Sequence, residues 1–115
     1  MKLVIAGGRD YKFTDEDIRF LKYFIKTYQV SQIITGGCSG ADTQAHHFAA
    51  DNKIMSVAFH ADWKTYGKAA GPIRNQKMAK EGDAVILFPG GKGTQSMYNC
   101  AVAENMVIYD RRDKK

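Results

Sequence analysis

The sequence predicts an α/β domain over residues 1–110: a three-layer sandwich in which a mostly parallel sheet of about five strands carries helices on both faces. Three observations lead there. Short apolar runs alternate with stretches of helical spacing along the chain. The first run, Leu3-Val4-Ile5, is contiguous rather than alternating, as in strands covered on both faces. Three glycine-rich turns, at residues 6–10, 35–42 and 88–94, each follow an apolar run directly. In a parallel sheet such turns share the carboxyl edge, where their exposed N–H groups form a crevice suited to a phosphate-bearing ligand.

The elements follow in order. Residues 2–6 read as the first strand. Thr14 reads as an N-cap, with Asp15, Glu16 and Asp17 in the first turn, where the helix dipole favours acids. Ile18, Leu21, Phe24, Ile25 and Tyr28 then form one apolar stripe. Residues 32–35 are the second strand. Ser39 is expected to cap the next helix, with Asp42 three residues on in a near capping-box arrangement, and Ala45, Phe48 and Ala49 on its packing face. Residues 54–59 read as the third strand, followed by an irregular stretch to about residue 70 and a helix over 72–80 that begins at Pro72. Residues 84–88, 94–104 and 106–109 read as strand, helix and strand. There is no linker, internal repeat or low-complexity tract.

Composition narrows the class. At 115 residues and 44% hydrophobic, the chain suits one domain with one modest core. No apolar stretch approaches the roughly 18 residues that cross a bilayer, and the first residues lack the apolar region of a signal peptide. Cys38 and Cys100 make neither a close-spaced metal pattern nor a disulfide framework. A cytoplasmic protein with no metal and no cofactor is expected. The net charge of +5 and the pI near 9.3 favour polyanions in general. A solvated surface ending in a basic tail at 111–115 accounts for that charge equally well, so nucleic acid is a lesser candidate partner.

Candidate site residues come from the turns. Pro89-Gly90-Gly91-Lys92-Gly93-Thr94 leads into a helix, so its free N–H groups, the Thr94 hydroxyl and Lys92 would face an anion. It is not a Walker A loop, since glycine follows Lys92, nor a dinucleotide fingerprint, since Ser96 replaces the third glycine. Gly36, Gly37, Ser39 and Asp42 mark the second turn. A phosphate beside Asp42 would be repelled by on the order of 1 to 4 kcal/mol. Asp42 therefore serves either ribose hydroxyls or merely the helix end. Gly8, Arg9 and Asp10 leave the first strand. Arg9 either pairs with phosphate or braces the turn through Asp10. Arg74 and Asn75 either turn into the crevice or lie on the surface, and Trp63 or Tyr66 either stacks a base or packs. His46 and His47 are adjacent on a helix and so diverge, which argues against a shared metal. Cys38 lies near a helix start but has no evident base partner.

The series Ala-Gly-Gly-Arg-Asp from residue 6, Thr-Gly-Gly-x-x-Gly-Ala-Asp from 35, Gly-Pro-Ile-Arg-Asn-Gln-x-Met from 71 and Phe-Pro-Gly-Gly-x-Gly-Thr from 88 resembles the SLOG superfamily, in particular its YspA-related branch. The resemblance spans residues 2–109. It implies a Rossmann-like sheet that binds nucleotides or nucleotide-derived molecules, as in relatives that include Smf/DprA DNA-processing proteins, the LOG phosphoribohydrolases and nucleotide sensors of bacterial immunity. LOG enzymes continue their motif as Pro-Gly-Gly-x-Gly-Thr-x-x-Glu, and the glutamate is central to N-glycosidic cleavage. Here Met97 stands in that position and can move no proton, although Arg74 matches the LOG helix arginine. The resemblance thus implies a binding protein, a sensor or sequestering device, and by superfamily habit a homo-oligomer. Two alternatives remain open. One is a LOG-like nucleotide hydrolase with Asp10, Asp42 or Arg74 as catalytic candidates; the other is single-stranded nucleic-acid binding of the DprA kind.

Overall fold

Contiguous apolar strands become the centre of the molecule because each buries both faces. In a computed structural model that describes residues 1–112, the elements run β1 (Lys2–Ala6), α1 (Asp15–Thr27), β2 (Gln32–Thr35), α2 (Ala41–Asp51), β3 (Met55–Ala58), α3 (Trp63–Tyr66), a 3-10 turn (Gly67–Ala69), α4 (Ala70–Glu81), β4 (Ala84–Leu87), α5 (Lys92–Ala103) and β5 (Val107–Asp110). All five strands are parallel, in the order β3-β2-β1-β4-β5. The chain first extends the sheet one way from β1, then crosses over to β4 on β1's other side. That reversal leaves a crevice at the carboxyl ends of β1 and β4.

Alternate side chains of one strand feed opposite layers. Leu3, Ile5, Ile33 and Ile86 meet Leu21 and Phe24 of α1 and Phe48 of α2 on one face. Val4, Ile34, Val85 and Leu87 meet Met78 of α4 and Met97 and Ala101 of α5 on the other. Each large side chain here is essentially solvent-free, a burial worth about 1.5 to 3 kcal/mol apiece. The expected Rossmann-like three-layer sandwich is what forms.

Thr14 caps α1 as its sequence implies: its hydroxyl accepts from Asp17 N–H at 3.0 Å, and Asp17 Oδ2 accepts from Thr14 N–H at 3.0 Å. Asp17 also accepts from Tyr11 Oη and from Arg111. Burial and that carboxylate push the Tyr11 hydroxyl up to about 12. The guanidinium of Arg111 lies 4.1 Å from the centre of the Phe20 ring, and Arg112 pairs with Asp110 at 2.8 Å while covering Tyr98. These two arginines are thus docked on the fold rather than part of a loose tail; Lys114 and Lys115 lie outside the described residues.

Three expectations need correction. Ser39 does not cap α2. Gly40 is the N-cap at φ +73°, and no side chain bonds the helix start. A Cβ on Gly40 would collide with the carbonyls of Gly8 and Arg9, so close packing of two turns dictates glycine there. Residues 62–69, expected to be irregular, hold a helical turn and a 3-10 turn, and α4 starts at Ala70 rather than Pro72. Finally, α5 starts at Lys92 with Gly91 as N-cap, so Lys92, Gly93 and Thr94 are helical rather than loop.

Candidate functional site

Gly8 gathers the three turns. Its N–H donates to Pro89 O at 2.9 Å, and its carbonyl accepts from Tyr11 N–H and Ala41 N–H, each at 3.2 Å. A Cβ at Gly8 would stand 3.1 Å from both Gly90 Cα and Pro89 O, and one at Gly90 would stand 2.7 Å from Gly8 N. The turns after β1, β2 and β4 therefore meet at backbone distance. Glycine permits this approach because it brings no side chain.

The turns enclose an open cavity of about 530 Å³, within the range of small-molecule sites. Of the residues singled out in the sequence, Gly8, Arg9, Gly36, Asp42, Trp63, Arg74, Asn75, Gly91, Gly93 and Thr94 line it. Asp10, Gly37, Ser39, Tyr66, Pro89 and Gly90 do not. Asp10 and Ser39 are exposed, Gly37 packs on the His60 ring, and Pro89 and Gly90 meet the backbone of Gly8. Gly7, Cys38, Gly71, Pro72, Ser96 and Met97 are also in the wall, with Lys68 and Lys92 at its charged side. Gly7 was legible as a turn residue and Gly71 as the start of a motif just before a helix, but nothing in their spacing aims them at a cavity.

Anion-facing groups collect at the start of α5. Gly91 and Gly93 have no atom within 4 Å of where a Cβ would project, so the helix end opens onto free space. Thr94 is 5% exposed, and among the described residues its hydroxyl has no protein partner. The side chains of Arg9, Lys68 and Lys92, each from a different segment of the wall, form no ion pair or hydrogen bond among the described residues.

Arg74 is committed elsewhere. Its Nη1 donates to Gly36 O at 2.7 Å and Phe59 O at 3.3 Å, and its Nε donates to Asn75 Oδ1 at 2.9 Å. Asn75, 3% exposed, donates in turn to Gly93 O and Ser96 Oγ. The pair thus ties the turn after β2 to the first turn of α5. Asp42 faces this network: Oδ2 accepts from Gly36 N–H and Cys38 N–H, both at 3.2 Å. Burial pushes its carboxyl above the usual range, opposed by those two N–H groups and by the charge of Arg74. Behind the turn, Thr35 Oγ1 accepts from Gly37 N–H and lies 2.6 Å from His46 Nε2. Burial, then the neighbouring His47 and His60, pull the His46 pKa down. Cys38 Sγ donates weakly to Gly36 O at 4.0 Å. Met97, 1% exposed, is part of the wall.

Residues 1–66, which carry β1 to β3 and the first two glycine turns, match the YspA, cpYpsA-related SLOG family. The chain belongs to that family. With it comes a nucleotide-related, Rossmann-like character. A relative in sequence is the Gene 61 protein of Mycobacterium phage D29, 30% identical over 90 residues that take in 71% of this chain and 72% of the phage protein. Among solved structures, the X-ray structure of TM1055 matches with a TM-score of 0.67 over 93% of this chain and 71% of its own, at 15% identity, a likeness of fold alone. The turn at α5 lies beyond the stretch that matches the SLOG family, so its role rests on the geometry above. Among the described residues, no helix is long and apolar enough to cross a membrane, and no three His, Cys, Asp or Glu side chains gather to hold a metal ion.

Proposed function

We propose that this SLOG protein is a cytoplasmic binding protein, a sensor or sequestering device, for a nucleotide or nucleotide-derived small molecule. The observation that carries the reading is the unobstructed N-terminus of α5, set in a cavity with three unpaired cations. Phosphate rests on the N–H groups around Gly91, Gly93 and Thr94, with Arg9, Lys68 and Lys92 supplying charge. Asp42 is kept from phosphate by its own charge and takes ribose hydroxyls. Arg74 is a positioning residue, because its donors already hold the wall together.

Binding is favoured over hydrolysis because Met97 offers no acid or base, and the only carboxylate in the wall is Asp42, whose Oδ2 already holds two backbone N–H groups. Calorimetric titration with nucleoside mono- and diphosphates, cyclic nucleotides and ADP-ribose derivatives tests the reading. Micromolar binding with no base released on prolonged incubation supports it. Absence of binding across the panel overturns it, and base release abolished by Asp42→Ala replaces it with the hydrolase. Affinity for single-stranded DNA that falls steeply with salt and is not competed by mononucleotide would favour the nucleic-acid reading instead.

A further inference from the structure

Residues 62–69 are built unlike the rest of the chain. All eight are exposed, and neither α3 nor the 3-10 turn contributes a buried side chain. The segment rests on the start of α4, with the Trp63 ring 3.4 Å from where a Cβ of Gly71 would stand. Two of its side chains, Trp63 and Lys68, line the cavity, and Trp63 is 56% exposed there. Gly67 interrupts the segment at φ +54° with no atom within 4 Å of its Cβ direction. A stretch with so little buried surface moves at small cost in free energy. A large apolar ring left half in water beside an anion-binding cavity gains by covering a flat apolar partner.

We infer that residues 62–69 form a lid that closes on the ligand, with Trp63 stacking on a planar aromatic base and so selecting ligands that carry one. The inference rests on the nucleotide reading above. Lys68, on the same segment, approaches the phosphate as the lid comes down, so base and phosphate are engaged by one movement. Tyr66, 47% exposed and outside the cavity wall, takes no part.

Trp63 is the only tryptophan in the chain, so its emission reports the lid directly. AMP, GMP, UMP, ADP-ribose and ribose 5-phosphate are titrated into the parent protein and into Trp63→Ala, Trp63→Phe and Tyr66→Ala, by fluorescence and by calorimetry. Expected are a changed tryptophan emission with the nucleotides, at least about a fivefold loss of nucleotide affinity in Trp63→Ala, recovery in Trp63→Phe, and no change in Tyr66→Ala. Affinity for ribose 5-phosphate stays the same in Trp63→Ala. Nucleotides that bind with unaltered emission, or a Trp63→Ala loss equal for nucleotide and ribose 5-phosphate, overturn the lid and leave the nucleotide reading standing. If ribose 5-phosphate binds and no nucleotide does, both fall together.

Discussion

Gly93→Ala separates the stability of the fold from the use of its cavity. Gly93 is the second residue of α5 and nothing lies within 4 Å of its Cβ direction, so the added methyl meets no protein atom. Alanine in place of glycine inside a helix stabilises by up to about 1 kcal/mol, and roughly half of that is expected in a first turn. The melting temperature then rises by roughly 2 to 4 °C. The methyl enters the cavity where an anion would approach the helix N–H groups. Losing one or two charge-assisted hydrogen bonds, each worth about 1.5 to 3 kcal/mol, weakens nucleotide binding by about ten- to a hundredfold or more. Thermal denaturation and calorimetry on the same preparation measure both quantities. A variant that melts higher but binds nucleotide as tightly as the parent would refute the placement of phosphate at α5.

Other substitutions probe the supports. Gly40→Ala drives a Cβ into the Gly8 and Arg9 carbonyls and adds left-handed strain, so it costs at least about 2 kcal/mol in urea denaturation. Burial alone would raise the Asp17 pKa, but hydrogen bonds from Tyr11, Thr14 and Arg111 outweigh it and hold the group below its ordinary value. Its contribution is therefore present above the unfolded carboxylate pKa near 3.9 and is lost as pH falls through the folded value. Asp17→Ala costs about 3 kcal/mol at pH 7 and less in strong acid, as denaturation at several pH values would show. Asp42 has the opposite sign: its raised pKa favours the fold only while protonated, an advantage lost as pH rises through the folded value. Asp42→Asn is thus at least as stable as the parent at pH 7, with the difference shrinking towards pH 3; a clear loss at pH 7 would show that attraction to Arg74 dominates.

The sheet was legible in the sequence because strands buried on both faces announce themselves as contiguous runs, as at residues 3–5 and 84–87. The N-terminus of α1 was legible because its cap is local, with donor and acceptor three residues apart. Long-range contacts were not. Ser39 has the chemistry of a cap, but close packing on the Gly8 carbonyl, thirty-one positions upstream, makes the chain turn at Gly40 instead. The same holds for Arg74, whose hydrogen bonds reach carbonyls at Gly36 and Phe59 that no spacing rule connects to it. Trp63 and Tyr66 were indistinguishable as candidates, since only the three-dimensional path of residues 62–69 turns one to the cavity and the other away. Glycines at 91 and 93 suggested a loop because their propensity is weak; α5 nevertheless starts directly after Gly91 and runs through Gly93.

The hydrogen bond from Gly8 to Pro89 joins residues eighty-one positions apart, and β1 gains its second neighbour only when β4 docks. Such a contact closes a long loop, at the entropic cost of ordering the intervening chain. A chain in which β4 has not docked therefore lacks the cavity, and the ligand proposed for it would bind only the finished fold. Occupancy would then double as a check on maturation, slowing global unfolding without rescuing damaged intermediates.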